Sequence, residues 1–378
     1  MNFKHSVTVE SVDAYPIRAA GGVSPNMALG VMSTRPALLV RVRDDHGCVG
    51  WGEVWANFPP RANIHKAQVI EDVIAPRLRG VAFSEPVEID AFLRRALSTY
   101  FLHVGQKRVF EHILAGMDVA LWDLVLRSAG RTFAAHSGLA EASAPTYASS
   151  INPPDLERLM QHHAERGQSQ FKLKLGFDDT ADRAFVRKAA AIRPPGTHIM
   201  IDSNQTWDVS RAEAMLGSLE EFEPLFAEEP IPADAGCADW ERLAQSTSIP
   251  LAGGENLYGV DEFLRMADAG LRFVQPDVAK WGGVSGALAL ARALPPGVAL
   301  WPHFMGTSVG QVAALSVAAA VGATATCEMD VNANPLRTDL CGDILGIRDG
   351  RVALPDAPGL VVPPVRARLE EFREAQAD

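Results

Sequence analysis

From Pro145 onward the chain repeats one pattern eight times: a short apolar run, then a segment of helical spacing. The runs are TYASSI (146–151), FKLKL (171–175), HIMID (198–202), LFAEE (225–229), PLAGGE (250–255), RFVQPD (272–277), VALWPH (298–303) and TATCEM (324–329). Such alternation predicts βα units and a parallel sheet, because parallel strands need a long crossover between them. Eight units in succession favour a closed α/β fold, a (β/α)8-type TIM barrel, over an open doubly wound sheet. No GxGxxG follows the first run, which also counts against a dinucleotide fold.

A barrel of this kind takes about 250 residues, and the chain has 378, so a second domain is expected. Its place is at the start. ALLVRVRDDHGCVGWGEVW (37–55) reads as two alternating strands around a DDHG turn, and Lys66–Arg77, Val87–Tyr100 and Val109–Ser128 carry helical apolar spacing. We therefore expect an α+β domain over residues 1–135 and the barrel over 136–335. The tail, 336–378, contains a second hairpin, ILGIRDGRVALP (344–355), and is expected to pack back on the first domain.

The formal net charge of −11 and the lack of a basic run argue against nucleic-acid or anionic-membrane partners, which need clustered Lys and Arg. The longest apolar tract, residues 312–326, is too short to span a bilayer. The start of the chain lacks a signal-peptide core. Cys48, Cys237, Cys327 and Cys341 show no CxxC spacing. A cytoplasmic protein with free thiols is the expectation.

Seven of the eight runs end in an ionisable side chain: Lys174, Asp202, Glu228 or Glu229, Glu255, Asp277, His303 and Glu328. Counted through Glu228 the spacings are 28, 26, 27, 22, 26 and 25, about one βα unit each. A lone acid at a strand end is more often a helix cap, and a lone His more often a structural residue. Seven together are better explained by one site on the barrel's C-terminal face. Asp202, Glu228 or Glu229, and Glu255 would converge as hard oxygen ligands on a divalent cation such as Mg2+. Only one glutamate of the pair can face inward on a regular strand, and parity does not say which.

Lys172 and Lys174 stand out in a chain with seven lysines against 28 arginines. Being two apart, they share the inner face of the second strand, while Leu173 points out. Two adjacent ammonium groups lower each other's pKa, so one is expected to be neutral near pH 7 and able to act as a base. Asp277 and His303 end adjacent strands, where the carboxylate would orient the imidazole.

These motifs together resemble the enolase superfamily, and within it the mandelate racemase group. The resemblance runs through GWGE (50–53), the helix GMDVALWDLVLRSAGR (116–131), KLK (172–174), DSN (202–204), EEP (228–230), GEN (254–256), QPDVAKWGG (275–283) and PHFMG (302–306). It implies a capping domain formed by the first domain and completed by the tail. It implies Asp202, Glu228 and Glu255 as Mg2+ ligands, Lys174 as the base on one face of a small-molecule carboxylate substrate, and Lys172 as its tuner and a contact of the carboxylate. His303, paired with Asp277, would serve the other face, Glu328 would hydrogen-bond the carboxylate as it becomes an enolate, and Asn204 would contact substrate. A homo-oligomer is expected on the same ground.

Enzymes of this kind abstract the proton beside a carboxylate. Loss of a β-hydroxyl makes a dehydratase, reprotonation on the other face a racemase or epimerase, and internal carboxylate departure a lactone cycloisomerase. The expectation here is an acid-sugar dehydratase. PHFMGTSVG and EMDVNANPLR also resemble galactarolactone cycloisomerases. From other classes, a barrel that binds metal without turnover and a Schiff-base aldolase using Lys174 are the rivals. The loops 19–36 and 55–65, with Asn57, Phe58 and Arg61, are the candidate specificity elements.

Overall fold

The computed structural model describes residues 6–20, 26–27, 30–31 and 33–374; much of the glycine-rich loop 19–36 lies outside them. The first layer is an antiparallel sheet in which β1 (Val7–Ala20) pairs with β2 (Thr34–Asp44), and β2 with β3 (Val49–Val54) around the DDHG turn. Helix α1 (Ala62–Val69) runs through one wider turn, Ile70–Ile74, into Ala75–Leu78. Helices α2 (Pro86–His103) and α3 (Lys107–Ser128) complete the layer. The approach of α3 to β3 explains the glycines of GWGE: a Cβ on Gly50 would stand 2.1 Å from the Ala120 carbonyl oxygen, and one on Gly52 2.1 Å from that of Gly116.

All eight predicted barrel strands are present: β4 (Ser143–Ile151), β5 (Gln170–Lys174), β6 (His198–Asp202), β7 (Ala227–Glu228), β8 (Leu251–Gly253), β9 (Leu271–Val274), β10 (Ala299–Leu300) and β11 (Cys327–Asp330). Neighbours pair in parallel from β4 through β10, and β11 pairs with β4. Between β10 and β11 the Glu328 N–H donates to the Pro302 carbonyl at 3.2 Å. The outer layer holds α4 (Leu156–Ala164), α5 (Asp179–Ile192), α6 (Val209–Leu219), α7 (Cys237–Ser246), α8 (Val260–Asp268), α9 (Gly283–Ala293) and α10 (Ser308–Val321). The eighth unit differs from expectation: β11 is followed only by the single turn Pro335–Thr338.

The tail packs in two places. Its hairpin, β12 (Ile347–Arg348) and β13 (Arg351–Ala353), adds antiparallel to the start of β4, with Arg351 opposite Pro145 and Ala353 opposite Ser143. The reason is that β4 begins before its barrel neighbours do, since pairing to β11 starts at Thr146 and to β5 at Ala148. The overhang presents bare backbone groups that need partners. The tail reaches the first domain beyond the hairpin: the Gly359 N–H donates to the Arg131 carbonyl at 2.9 Å, α11 (Arg366–Phe372) packs on β1, and the Glu374 N–H donates to the Pro16 carbonyl at 2.9 Å.

Three buried carboxylates of the first domain tie it to the rest of the chain. Glu53, at the end of β3, accepts from Thr307 N, Thr307 Oγ1 and Gly310 N at the start of α10. Asp118 in α3 accepts from Ser285 N in the first turn of α9. Asp123 accepts from Trp51 N and, in the tail, from Leu360 N and Val361 N. Free N–H groups at a helix start favour a carboxylate acceptor. No helix among the described residues is long and apolar enough to cross a membrane.

Candidate active site

Strand parity holds on β5. Phe171 and Leu173 join the outer core under the helices, whereas Lys172 and Lys174 enter the barrel, both buried. Beneath them Tyr147, Met200, Phe226, Ala252 and Trp301 fill the interior, with Phe273 packed against them. The lysines thus stand on an apolar floor, and everything ionic gathers above it.

The Lys172 ammonium lies 2.6 Å from Glu228 Oε2 and 2.7 Å from Glu328 Oε1, and 5.5 Å from the Tyr147 ring centre. Lys174 bonds Asp202 Oδ2 at 2.5 Å and Asn204 Oδ1 at 3.1 Å. On the other side of the mouth, His303 Nδ1 faces Asp277 Oδ2 at 2.8 Å, and Nε2 faces Glu255 Oε2 at 2.6 Å. Asp277 is fixed by the Ala279 N–H, so it holds the imidazole with Nδ1 protonated. Glu328 is held by Ser149 Oγ and the Phe304 N–H. Of the predicted residues, Lys172, Lys174, Asp202, Asn204, Glu228, Glu255, Asp277, His303 and Glu328 therefore form one connected network.

Within it the lysines do not behave as repulsion alone predicts. Burial and, for Lys174, the neighbouring ammonium lower the pKa, but the carboxylates outweigh them: Glu228 and Glu328 hold Lys172 well above the usual lysine value, and Asp202 raises Lys174. Burial would depress His303, yet Glu255 and Glu328 push it well above its ordinary value. Among the acids, burial pushes Glu228 up to about 7, with Asp202 and Glu328 adding to the rise and Lys172 opposing it.

The three predicted ligands stand on consecutive strands, with Asp202 and Glu228 in register on β6 and β7 and Glu255 just past β8. Among the described residues no three His, Cys, Asp or Glu side chains are gathered closely enough to hold a metal ion. Each acid turns instead to a cation of the chain: Asp202 to Lys174, Glu228 to Lys172, Glu255 to Lys280 and His303. The donor set is still all hard carboxylate oxygen on three consecutive strands, and burial, with Asp202 adding to it, makes the Glu228 charge costly without a cation, so the residues fit a small divalent ion.

Residues 155–367 match the family described as Enolase C-terminal domain-like, and residues 17–135 match the mandelate racemase / muconate lactonizing enzyme N-terminal domain. The chain belongs to the enolase superfamily. Its place in the mandelate racemase group is supported by a solved mandelate racemase/muconate lactonizing enzyme from Bordetella bronchiseptica RB50, which is 38% identical with a TM-score of 0.89 and covers 97% of this chain and 100% of that one. A D-galactarolactone cycloisomerase from Agrobacterium fabrum is 29% identical over 90% of this chain and 92% of its own. A D-galactonate dehydratase from Verminephrobacter eiseniae is 30% identical over 70% of this chain and 71% of its own.

Sequence reasoning expects only one glutamate of EEP to face this enolase-superfamily site and leaves Lys280 unassigned. Glu229 also turns to the mouth, accepting from Asn256 Nδ2 and Gln205 Nε2, each at 2.9 Å. Its backbone takes φ 40°, which breaks the alternation that parity assumes. Burial and then the nearby Glu255 push its carboxyl up to about 8. Lys280, inside QPDVAKWGG, donates to Glu255 Oε1 at 3.1 Å and Asn256 Oδ1 at 3.2 Å; it follows β9 in a loop, where no periodicity flags it. Of the loop candidates, Asn57 and Phe58 are half-buried, and Arg61 is exposed at the start of α1 with φ 65°. No hydrogen bond joins Asn57 or Arg61 to the network among the described residues.

Proposed function

We propose that the chain is a Mg2+-dependent enzyme that removes the proton beside the carboxylate of an acid sugar and then expels the β-hydroxyl as water. The observation that carries this reading is the pair of proton-transfer groups flanking the acids: Lys174 bonds Asp202 at one end of the row, and His303 bonds Glu255 at the other. Asp202, Glu228 and Glu255 would hold Mg2+, which supplies positive charge to stabilise the enediolate formed from the substrate carboxylate.

In this reading Lys172 binds the substrate carboxylate. Asp202, which holds Lys174 as an ammonium here, would turn to Mg2+ when the cation is bound, and Lys174, freed of that partner, would lose its proton and take the α-proton. The electron pair of the broken C–H bond moves toward the carboxylate, which Glu328 hydrogen-bonds as charge builds on it. The pair then returns to break the bond from the β-carbon to its hydroxyl oxygen. His303, its Nδ1–H held by Asp277, gives the Nε2 proton to that oxygen, so that water leaves and the enol becomes a 2-keto-3-deoxy acid. The apolar floor keeps water away from the lysines from below. A lactone cycloisomerase is the second reading, favoured by the length over which the chain matches the galactarolactone cycloisomerase. We also infer a cytoplasmic homo-oligomer, for which light scattering should give a mass above 40.7 kDa.

The test is a screen of aldonates, aldarates and their lactones with Mg2+. Release of a 2-keto-3-deoxy acid is expected, with activity lost to a chelator and restored by Mg2+. Lys174→Ala and His303→Asn should each lower kcat by about 10²-fold or more; full activity in both would overturn the mechanism. Solvent deuterium at the α-carbon without loss of water would indicate an epimerase or a non-cognate substrate, and a borohydride-trapped imine the aldolase.

A further inference from the structure

The acids proposed to hold Mg2+ differ in how the chain occupies their oxygens. Asp202 is bonded at both, Oδ1 by the Asn204 N–H at 2.9 Å and Oδ2 by Lys174. Glu255 is too, with Lys280 on Oε1 at 3.1 Å and His303 on Oε2 at 2.6 Å. Glu228 is bonded at one oxygen only. Its Oε2 accepts from Lys172 at 2.6 Å and from Gln275 Nε2 at 2.5 Å, and among the described residues no donor reaches Oε1.

Gln275 is built into the barrel wall just past β9. Phe273 packs on the apolar floor and Asp277 meets His303 at the mouth; Gln275, 1% exposed, falls between them by strand alternation. Backbone bonds hold it from both neighbours. Its own N–H donates to the Gly253 carbonyl at 2.9 Å, and the N–H groups of Trp301 and His303 donate to the carbonyls of Val274 at 2.9 Å and Pro276 at 3.2 Å. The side-chain Oε1 is buried with no hydrogen-bond partner among the described residues. An amide with one end unpaired costs free energy there that an apolar side chain of equal length would not. Its bond to Glu228, the one hydrogen bond this side chain makes among the described residues, is what offsets that cost.

We infer that Gln275 is a positioning residue of the metal site: by holding Glu228 Oε2 it leaves Oε1 set for the cation, whereas Asp202 and Glu255 must each give up a partner to bind it. This rests on the proposed Mg2+ site. A carboxylate oxygen has places for about two donors, and Lys172 and Gln275 fill both on Oε2, so the cation is directed to the other oxygen. A neutral amide suits the task. It fixes the carboxylate without setting a further positive charge beside the cation, which a lysine at the same position would do.

The test is calorimetric titration of Mg2+ into protein first stripped by a chelator, comparing the wild type with Gln275→Leu and Gln275→Met, together with Tm measured with and without Mg2+. Both variants should bind Mg2+ about 10- to 100-fold more weakly than the wild type, the usual effect of removing the partner of a metal ligand. The rise in Tm on adding Mg2+ should shrink accordingly. Gln275→Met keeps the length of the side chain and decides the matter if Gln275→Leu does not fold. A merely structural role would lower Tm equally with and without Mg2+. An unchanged Mg2+-dependent rise, or an unchanged affinity in Gln275→Met, therefore overturns the positioning role while the metal site stands. If the wild type itself binds no Mg2+, the metal site falls and the role of Gln275 falls with it.

Discussion

Lys172 is 0% exposed and holds two carboxylates apart, Glu228 and Glu328, from the inner face of β5. Truncation would leave both acids buried and facing each other, so Lys172→Ala should lose about 3–5 kcal/mol of stability. Added Mg2+ should recover part of that loss as a rise in Tm, by binding the acids the lysine no longer neutralises. The absence of any Mg2+-dependent shift in both wild type and variant would count against the cation. Asp277→Asn should keep the fold but lower kcat by about 10- to 100-fold with little change in KM, because Asn can no longer hold the imidazole with Nδ1 protonated; steady-state kinetics would read it. At this scale the sequence exposes most of the network, since Lys172, Lys174 and Asp202 obey the period of a strand. That Glu229 joins Glu228 at the site, rather than replacing it, was hidden by a backbone φ of 40°, and Lys280 by a loop that has no period at all.

Elements were legible where one side of them is buried in a regular way. The eight barrel strands and the helices of the first layer follow from apolar spacing, though strands such as Ala299–Leu300 are shorter than their apolar runs. What spacing does not reveal is which element finds which partner. The tail hairpin looks free in the sequence and joins β4 because that strand overhangs its neighbours. The fit of α3 on β3 is likewise a matter of atoms: Gly52→Ala would drive a Cβ to 2.1 Å from the Gly116 oxygen. Backbone must shift there, so a loss of about 3 kcal/mol is expected, seen as a lower urea midpoint with an unchanged m-value.

For the whole molecule, the response to pH is a sum of opposed groups: Glu228 and Glu229, pushed up to about 7 and about 8, favour the fold on the acidic side, and two buried histidines favour it on the neutral side. Burial holds His163 down at about 4 and His112 at about 2, against an ordinary value of 6.5. Both are neutral in the folded chain, so unfolding takes up protons below pH 6.5, and the stability they contribute is complete above that pH and lost as it falls. His163 alone, bonded through Nδ1 to Gln168 Oε1, is expected to cost up to about 3 kcal/mol between pH 6.5 and 4. The advantage in Tm of the wild type over His163→Gln should therefore shrink as pH falls from 6.5 to 4, which thermal unfolding of both at several pH values would read. The buried link through Glu53 has a further consequence for anyone recombining parts of this architecture. Because β3 supplies the carboxylate that finishes α10, a chimera with a foreign first layer inherits an unfinished barrel helix unless the donor carries an acid in the same register. The first layer and the barrel are therefore interchangeable only as a matched set, however cleanly a crossover point is chosen between them.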